Sequence, residues 1–274
     1  MAGGRKFAVA QLLLLLACTF SRAQIAPPAQ KNVPAASVSA APGARIIPPP
    51  PNYQFPNGQT YVYGVEWHLF NAGIATVKME AAGAEKKVTA IANSIGAVNV
   101  LYSVHDQFES RFSPQTFCSL RVVKHTEEGS RKRDTQIRFD YSRGKAVLDE
   151  KNLKTGETKH VENDVPACIT DVVTGFYYLA SLPLQTGNSY TFSINDGGKT
   201  AEVQARVEGR ERVKTPAGSF AAVRVAVEPI SGPLKGKGKV WVWYSDDGNH
   251  VPVQMRSKLG WGTLLFRLQR WEKP

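Results

Sequence analysis

Three cysteines, five histidines and a scatter of carboxylates are the residues of this chain whose types could do chemistry. A nucleophile–base system needs Ser or Cys beside a His that an acid orients. The chain has no G-x-S-x-G elbow, and its histidines (His68, His105, His125, His160 and His250) show neither H-E-x-x-H nor H-x-H spacing. Glu66 and His68 share one face of an alternating segment, where a solvent-facing polar pair competes with a proton-exchanging or metal-ligating one. A paired-carboxylate hydrolase requires two acids converging in a cleft. Glu109, Asp140 and Glu202 are available for that, but their convergence cannot be read from spacing. Asp246-Asp247-Gly248-Asn249 has the opening of a calcium loop but lacks the alternating ligands and the downstream bidentate Glu, so a tight hairpin turn is expected there. No catalytic residue, metal site or cofactor is therefore expected.

The cysteines have a clearer chemistry. Cys118 and Cys168 sit in no CxxC or Cys/His spacing, which argues against metal. In an exported chain an even pair suggests one disulfide. Export is expected from the first 23 residues. Arg5 and Lys6 precede an apolar run from Phe7 to Phe20, and Ser21-Arg22-Ala23 ends in the small residue a signal peptidase reads. The run is shorter than the roughly 20 residues of a membrane span. A second reading of the same start is a lipobox, Leu15-Leu16-Ala17-Cys18, in which Cys18 is acylated and becomes the first mature residue. The expected location is the periplasm, or the outer membrane if Cys18 is lipidated.

Losing Arg5, Lys6 and Arg22 with the leader takes the formal charge from +11 to +8. That surplus suits anionic surfaces such as phospholipid headgroups. No aromatic-interleaved basic motif of the nucleic-acid-binding kind is present. Arg131-Lys132-Arg133 and the lysines at 235, 237 and 239 are the densest clusters, and solvated hairpin ends explain them as well as a binding patch does.

The elements that would position these groups are mostly strands. Residues 24–57 carry nine prolines and read as a disordered or polyproline spacer, able to reach about 100 Å when extended. From Gly58 the pattern alternates, as in Tyr61, Tyr63, Val65, Trp67 and Leu69 opposite Glu66 and His68. Asn71-Ala72-Gly73 turns the chain back through Ile74 to Glu80 as a hairpin, and similar runs follow at 85–93, 106–113, 117–127, 131–141, 145–151 and 157–163. Ile169 to Leu182 breaks the alternation: Asp171 precedes Val172, Phe176, Leu179 and Ala180 at helical spacing, and Pro183 ends the helix. Strands resume at 189–195, 200–213, 220–228, 239–245, 250–258 and 262–271. About a dozen strands with one helix, in a single domain over 58–274, predict an all-β, mainly antiparallel fold, curled into an open barrel or sandwich.

Several motifs recur together. They are Tyr63-Gly64-Val65 with Ala72-Gly73, Asp171 followed by Tyr177-Tyr178-Leu179, and Leu184-Gln185-Thr186-Gly187. After them come Val213-Lys214-Thr215-Pro216-Ala217-Gly218-Ser219-Phe220, Trp243, Asp246, Pro252-Val253 and Gly260. With these the chain resembles the exported bacterial family catalogued as domain of unknown function 3108, over nearly all of 58–274. The resemblance implies a β-rich periplasmic or surface protein and brings no activity and no functional residues. Read physically, Pro216 and Gly218 set a turn, and Phe220 and Trp243 anchor a sheet.

A binding role follows from one strand. In Lys239 to Ser245, Val240, Val242 and Tyr244 lie opposite Trp241 and Trp243, so both faces are apolar. One face belongs to the core, and the other could meet a ligand beneath the aromatic helix bearing Tyr177 and Tyr178. The expectation is a non-enzymatic envelope protein binding an apolar or amphipathic ligand. A filled scaffold without a ligand and an unrecognised hydrolase of envelope polymers are its competitors.

Overall fold

The computed structural model describes residues 44–272 apart from Leu69, Lys237, Gly260 and Trp261. The leader, Cys18 and residues 24–43 of the expected spacer lie outside the described residues. Fifteen strands form one sheet. β1 (Thr60–Trp67), β2 (Phe70–Ala82), β3 (Glu85–Ser94), β4 (Val104–Phe112), β5 (Ser119–Glu128), β6 (Arg131–Asp140), β7 (Lys145–Asn152) and β8 (Thr158–Asp164) run as a meander. A second meander comprises β9 (Thr170–Asp171), β10 (Ser189–Asp196), β11 (Lys199–Thr215), β12 (Gly218–Pro229), β13 (Lys239–Ser245), β14 (Pro252–Leu259) and β15 (Gly262–Glu272). The two meanders join where β1 pairs with β15, and all pairings are antiparallel except the short β9–β10 contact. The expected fold class is thus what the chain adopts.

The sheet curls until its two margins touch without pairing edge to edge. Ser119 N–H donates to Ile169 O (2.8 Å), Thr200 Oγ1 donates to Asp164 O (3.2 Å), and Lys124 on β5 reaches Asp196 on β10 (2.6 Å). The contact covers β9, while β8 remains a mostly exposed terminal strand whose Thr158, Lys159 and His160 face water. The Cys118–Cys168 disulfide, with Cα atoms 5.1 Å apart, ties the start of β5 to the chain entering β9. The strand directions sort the connections into two ends. At the upper end, by strand direction, lie the β1–β2, β3–β4, β5–β6, β7–β8, β10–β11, β12–β13 and β14–β15 connections. At the lower end lie the others, including the Thr215–Gly218 turn, where Gly218 takes φ +138° as its sequence anticipates. At the seam the meanders are offset, so that the β10–β11 turn meets the opposite end of β8, with Gly198 beside Asn163.

The helix α2 (Val172–Ala180) is shorter than the expected 169–182, because residues 170–171 pair with β10 and Asp171 becomes the N-cap. It does not lie across a mouth. Val173, Tyr177, Tyr178, Leu179 and Ala180 are all buried, so the helix plugs the barrel. Its C-terminal end sits at the lower end, where His250 Nδ1 lies 2.7 Å from Ala180 O. The lower end is filled further by residues expected in the spacer. Phe55 packs with Phe112 and Phe117, Tyr53 packs with Phe55 and Phe117, and Ile46 joins the same core. The packed chain therefore begins before Gly58. The physical reason is that Ile46, Tyr53 and Phe55 are large apolar groups that proline-rich flanks do not prevent from docking. A second, short helix α1 (Gly96–Leu101) occupies the β3–β4 connection.

Candidate functional site

The barrel interior is divided. Around α2 its walls are apolar, and two cavities remain unfilled. One, of about 90 Å³, lies between Val172, Phe176 and Leu179 of the helix and Ile194, Val203, Val227 and Val240 of the wall, and it extends to Pro229 and Gly238 at the upper end. The other, of about 80 Å³, lies between Val173, Phe176 and Tyr177 and the wall residues Tyr63, Val77, Ala90, Val242, Met255 and Phe266. Phe176 lines both and separates them. Cavities lined so uniformly by hydrocarbon stay dry, because a water inside would lack partners. The helix is held from below, where Tyr244 Oη donates to Phe176 O (2.9 Å).

The seven aromatic and aliphatic residues singled out for ligand contact fall into two sets. Val240, Val242 and Tyr244 face the interior with Tyr177 and Tyr178. Tyr178 packs on Phe117 and Phe192 and holds residues 45–47, since its Oη accepts from Ile47 N–H (3.2 Å). Trp241 and Trp243 face outward, where Arg256 stacks over both, 4.5 and 5.8 Å from the ring centroids, and Trp243 Nε1 donates to Glu211 (2.8 Å). Trp243 is nonetheless buried in a second hydrophobic cluster with Val213, Ala222 and Val253, against which Trp241 packs. Both faces of the strand are therefore covered by protein, and Arg256 closes over the indoles.

The remaining interior, on β4–β7 and the end of β10, is polar, and none of its buried charged residues is among those singled out from the sequence. Asp106 and Glu128 are each 3 % exposed and face each other. Lys124, equally buried, pairs with Asp196 and stands 5.3 Å over the Phe108 ring. Burial pushes the Asp106 carboxyl up to about 7, although the Glu127 N–H it accepts and Glu128 oppose this. Burial and then the neighbouring Asp106 charge push Glu128 up to about 8, against Arg131 and Arg133. Glu128 Oε1 has no partner as an acceptor. A proton on Glu128, directed at Asp106, satisfies it. The pair therefore shares a proton near neutrality. Alternation did hint at these positions, because Lys124, Thr126 and Glu128 continue the inward register of Val122. Charged residues at core positions are the signal that periodicity alone discounts.

This pair makes stability depend on pH with a definite sign. Unfolded, both groups titrate near 4; folded, they hold their protons to about 7 and 8. Their stabilising contribution is complete below pH 4 and is lost as pH rises through 7 to 8. Chemical unfolding of the wild type should show stability falling by roughly 3 kcal/mol between pH 5 and 8.5, shared between the coupled groups. The double variant Asp106→Asn/Glu128→Gln should lose most of that slope. An unchanged slope in the variant would remove the pair as its source.

The other residues considered for chemistry are dispersed. Glu66 pairs with Arg267, while His68 is exposed in the β1–β2 turn. Glu109 pairs with Arg111, Asp140 caps the turn at Ser142 and Arg143, and Glu202 lies on β11 across the barrel. Asp247 Oδ1 accepts from Ser245 Oγ and from the Asn249 and His250 N–H groups, which is turn chemistry. Among the described residues no three His, Cys, Asp or Glu side chains are grouped to hold a metal.

A family model described as "Protein of unknown function (DUF3108)" matches residues 62–269. A β-barrel-like protein of domain of unknown function DUF1849 from Brucella abortus superimposes with TM-score 0.54 at 11 % identity, over 84 % of this chain and 99 % of that one. An exported protein, provisionally so described, with a YmcC-like fold from Bacteroides fragilis gives TM-score 0.36 at 12 % identity, over 84 % and 100 %. At that score it adds nothing about the fold. No curated protein matches the chain.

Proposed function

The chain belongs to the DUF3108 family, and from that membership and the shape of its interior we propose an exported, non-enzymatic protein that binds an apolar or amphipathic ligand inside its barrel. The observation that carries this reading is the pair of dry cavities flanking Phe176. An engineered cavity of about 150 Å³ already takes up benzene, whereas drug-sized ligands need about 300–1,000 Å³. Cavities of 90 and 80 Å³ separated by one phenyl group approach the first figure once Phe176 swings aside. A polar headgroup would find Lys124, Arg133 and the Asp106–Glu128 pair on the same inner wall. Export is supported by the leader at residues 5–23, and either cleavage after Ala23 or acylation at Cys18 is compatible with binding.

The test is mass spectrometry of an organic extract from natively purified protein, together with titration of a fluorescent alkyl probe. Phe176→Ala should join the cavities and tighten probe binding by about tenfold, roughly 1.4 kcal/mol, at a stability cost near the low end of the 3–5 kcal/mol for Phe-to-Ala changes. No co-purified lipid and no probe binding in either form would favour a packed scaffold. Intact mass of the native product checks export separately, since a retained Met1 would sink it.

A further inference from the structure

We propose that the upper end of the barrel docks on an anionic phospholipid surface, with helix α1 as the inserting element. None of the six residues of α1 is buried, yet it contains Val98, Val100 and Leu101. Val100 and Leu101 are each 85 % exposed, and Phe70, across the neighbouring β1–β2 turn, is 68 % exposed. A helix this short gains little from propensity and ordinarily needs packing of an apolar face to persist. Here Val98 turns toward Val65 and Ala72, Val100 and Leu101 point away from the protein, and the flanks of the helix are fastened. Ile95 N–H donates to Ala72 O (3.1 Å), Asn99 Oδ1 accepts from Ser94 Oγ (2.7 Å) and Ser103 Oγ (3.1 Å), and Gly129 N–H donates to Ser103 O (2.8 Å). Tyr102 Oη donates to Glu128 O (3.3 Å), and a Cβ on Gly129, at φ +54°, would stand 2.8 Å from the Tyr102 ring. The end of α1 is thereby locked beside the β5–β6 turn, which runs directly into Arg131-Lys132-Arg133.

Charge identifies the partner. The five upper-end connections that follow one another along the sheet (β5–β6, β3–β4, β1–β2, β14–β15 and β12–β13) contain no acid, and Lys235 lies in the last of them. Lys239, paired with Glu228, and Lys258 flank them. Glu128, Glu127 and Glu150 face Arg131, Lys132 and Arg133, so those three cations are partly neutralised, and Lys235 and Lys258 carry the surplus. Exposed apolar side chains set among basic residues on a rigid element are what an interfacial membrane contact requires: the apolar groups enter the acyl boundary and the cations meet lipid phosphates. The 90 Å³ cavity reaches the same end at Gly238, although docking does not rest on ligand binding.

The experiment is co-sedimentation of the natively processed protein with vesicles of phosphatidylcholine alone and with 30 % phosphatidylglycerol. Binding should be at least about tenfold stronger to the anionic vesicles and should weaken with salt. Val100→Ser/Leu101→Ser should lose about tenfold in affinity with an unchanged thermal midpoint, because neither side chain is packed. Lys235→Glu/Lys258→Glu should lose a similar factor. Absence of binding to anionic vesicles overturns the proposal. So does equal binding by the Val100/Leu101 variant, which would reduce the contact to charge alone. A second readout is Leu101→Trp, whose emission should shift to the blue on anionic vesicles and not on neutral ones. An unshifted emission counts against insertion.

Discussion

Asp171→Ala should destabilise the protein by about 4 kcal/mol, the largest loss expected from a single substitution here. One carboxyl organises the entry of α2. Its Oδ1 accepts from Val173 N–H (2.9 Å) and Thr174 N–H (3.0 Å), the N-cap bonds of the helix. Its Oδ2 accepts from Ser110 Oγ (2.5 Å), Ser119 Oγ (2.6 Å) and Thr174 Oγ1 (2.7 Å), which join the helix to β4 and β5. All these groups are buried, so removal strands two amides and two of the three hydroxyls without an acceptor or water. Ser110 Oγ and Thr174 Oγ1, 3.0 Å apart, can form only one bond between them. An N-cap alone is worth about 1 kcal/mol, and the remainder comes from the stranded donors. Asp171→Asn keeps the Oδ1 bonds but sets a donor against three hydroxyls, so its loss should be about half as large. Urea unfolding of the two variants checks the order; a loss below 1 kcal/mol for Asp171→Ala would show that the helix is held by packing alone. Because α2 positions Phe176 and Tyr177, the same variant should also loosen the walls of both cavities.

Removing the disulfide should cost nearly as much. Cys118 and Cys168 are 50 positions apart, and closing a loop of that size lowers the entropy of the unfolded chain by an amount worth about 4 kcal/mol at 25 °C. The bond also has a local task. Phe117, beside Cys118, has φ +57° and is fully buried, stacked on Phe112. The disulfide holds that unfavourable backbone while Phe117 seals the lower end. For a domain of this length, Cys118→Ala/Cys168→Ala should lower the thermal midpoint by roughly 10 °C. The unfolded, unreduced mature protein should offer neither thiol to a labelling reagent. Two reactive thiols in material exported to an oxidising compartment would refute the bond, and an unchanged midpoint would refute its contribution.

Much of this architecture was legible from local chemistry. Alternation located fourteen of the fifteen strands to within a few residues, from Tyr61 onward, because a strand with one wet face must place its apolar residues two apart. β9 escaped it, being only two residues long. Asp171 and Pro183 bracketed the helix, though its first turn was lost to the β9 pairing. Pro216 and Gly218 set their turn by backbone preference alone. The cysteine pair followed from parity and the leader.

What the sequence could not determine was which side of each element meets which. The two apolar faces of β13 looked equivalent, and only the curl of the sheet turned Val240, Val242 and Tyr244 toward α2 and left Trp241 and Trp243 to Arg256. The helix read as a cover and became a plug, since hydrophobic periodicity reports that a face is buried without saying against what. Tyr53 and Phe55 lay among prolines, where composition argued for a spacer, and their docking depends on Phe112 and Phe117, more than 50 residues away. Asp106 and Glu128 meet across neighbouring strands from 22 positions apart. Local sequence encodes the period, cap and turn of an element, because those are settled within a few residues. Burial of a charge or the exposure of Val100 and Leu101 is settled by chain closure, which brings together groups that no local pattern relates.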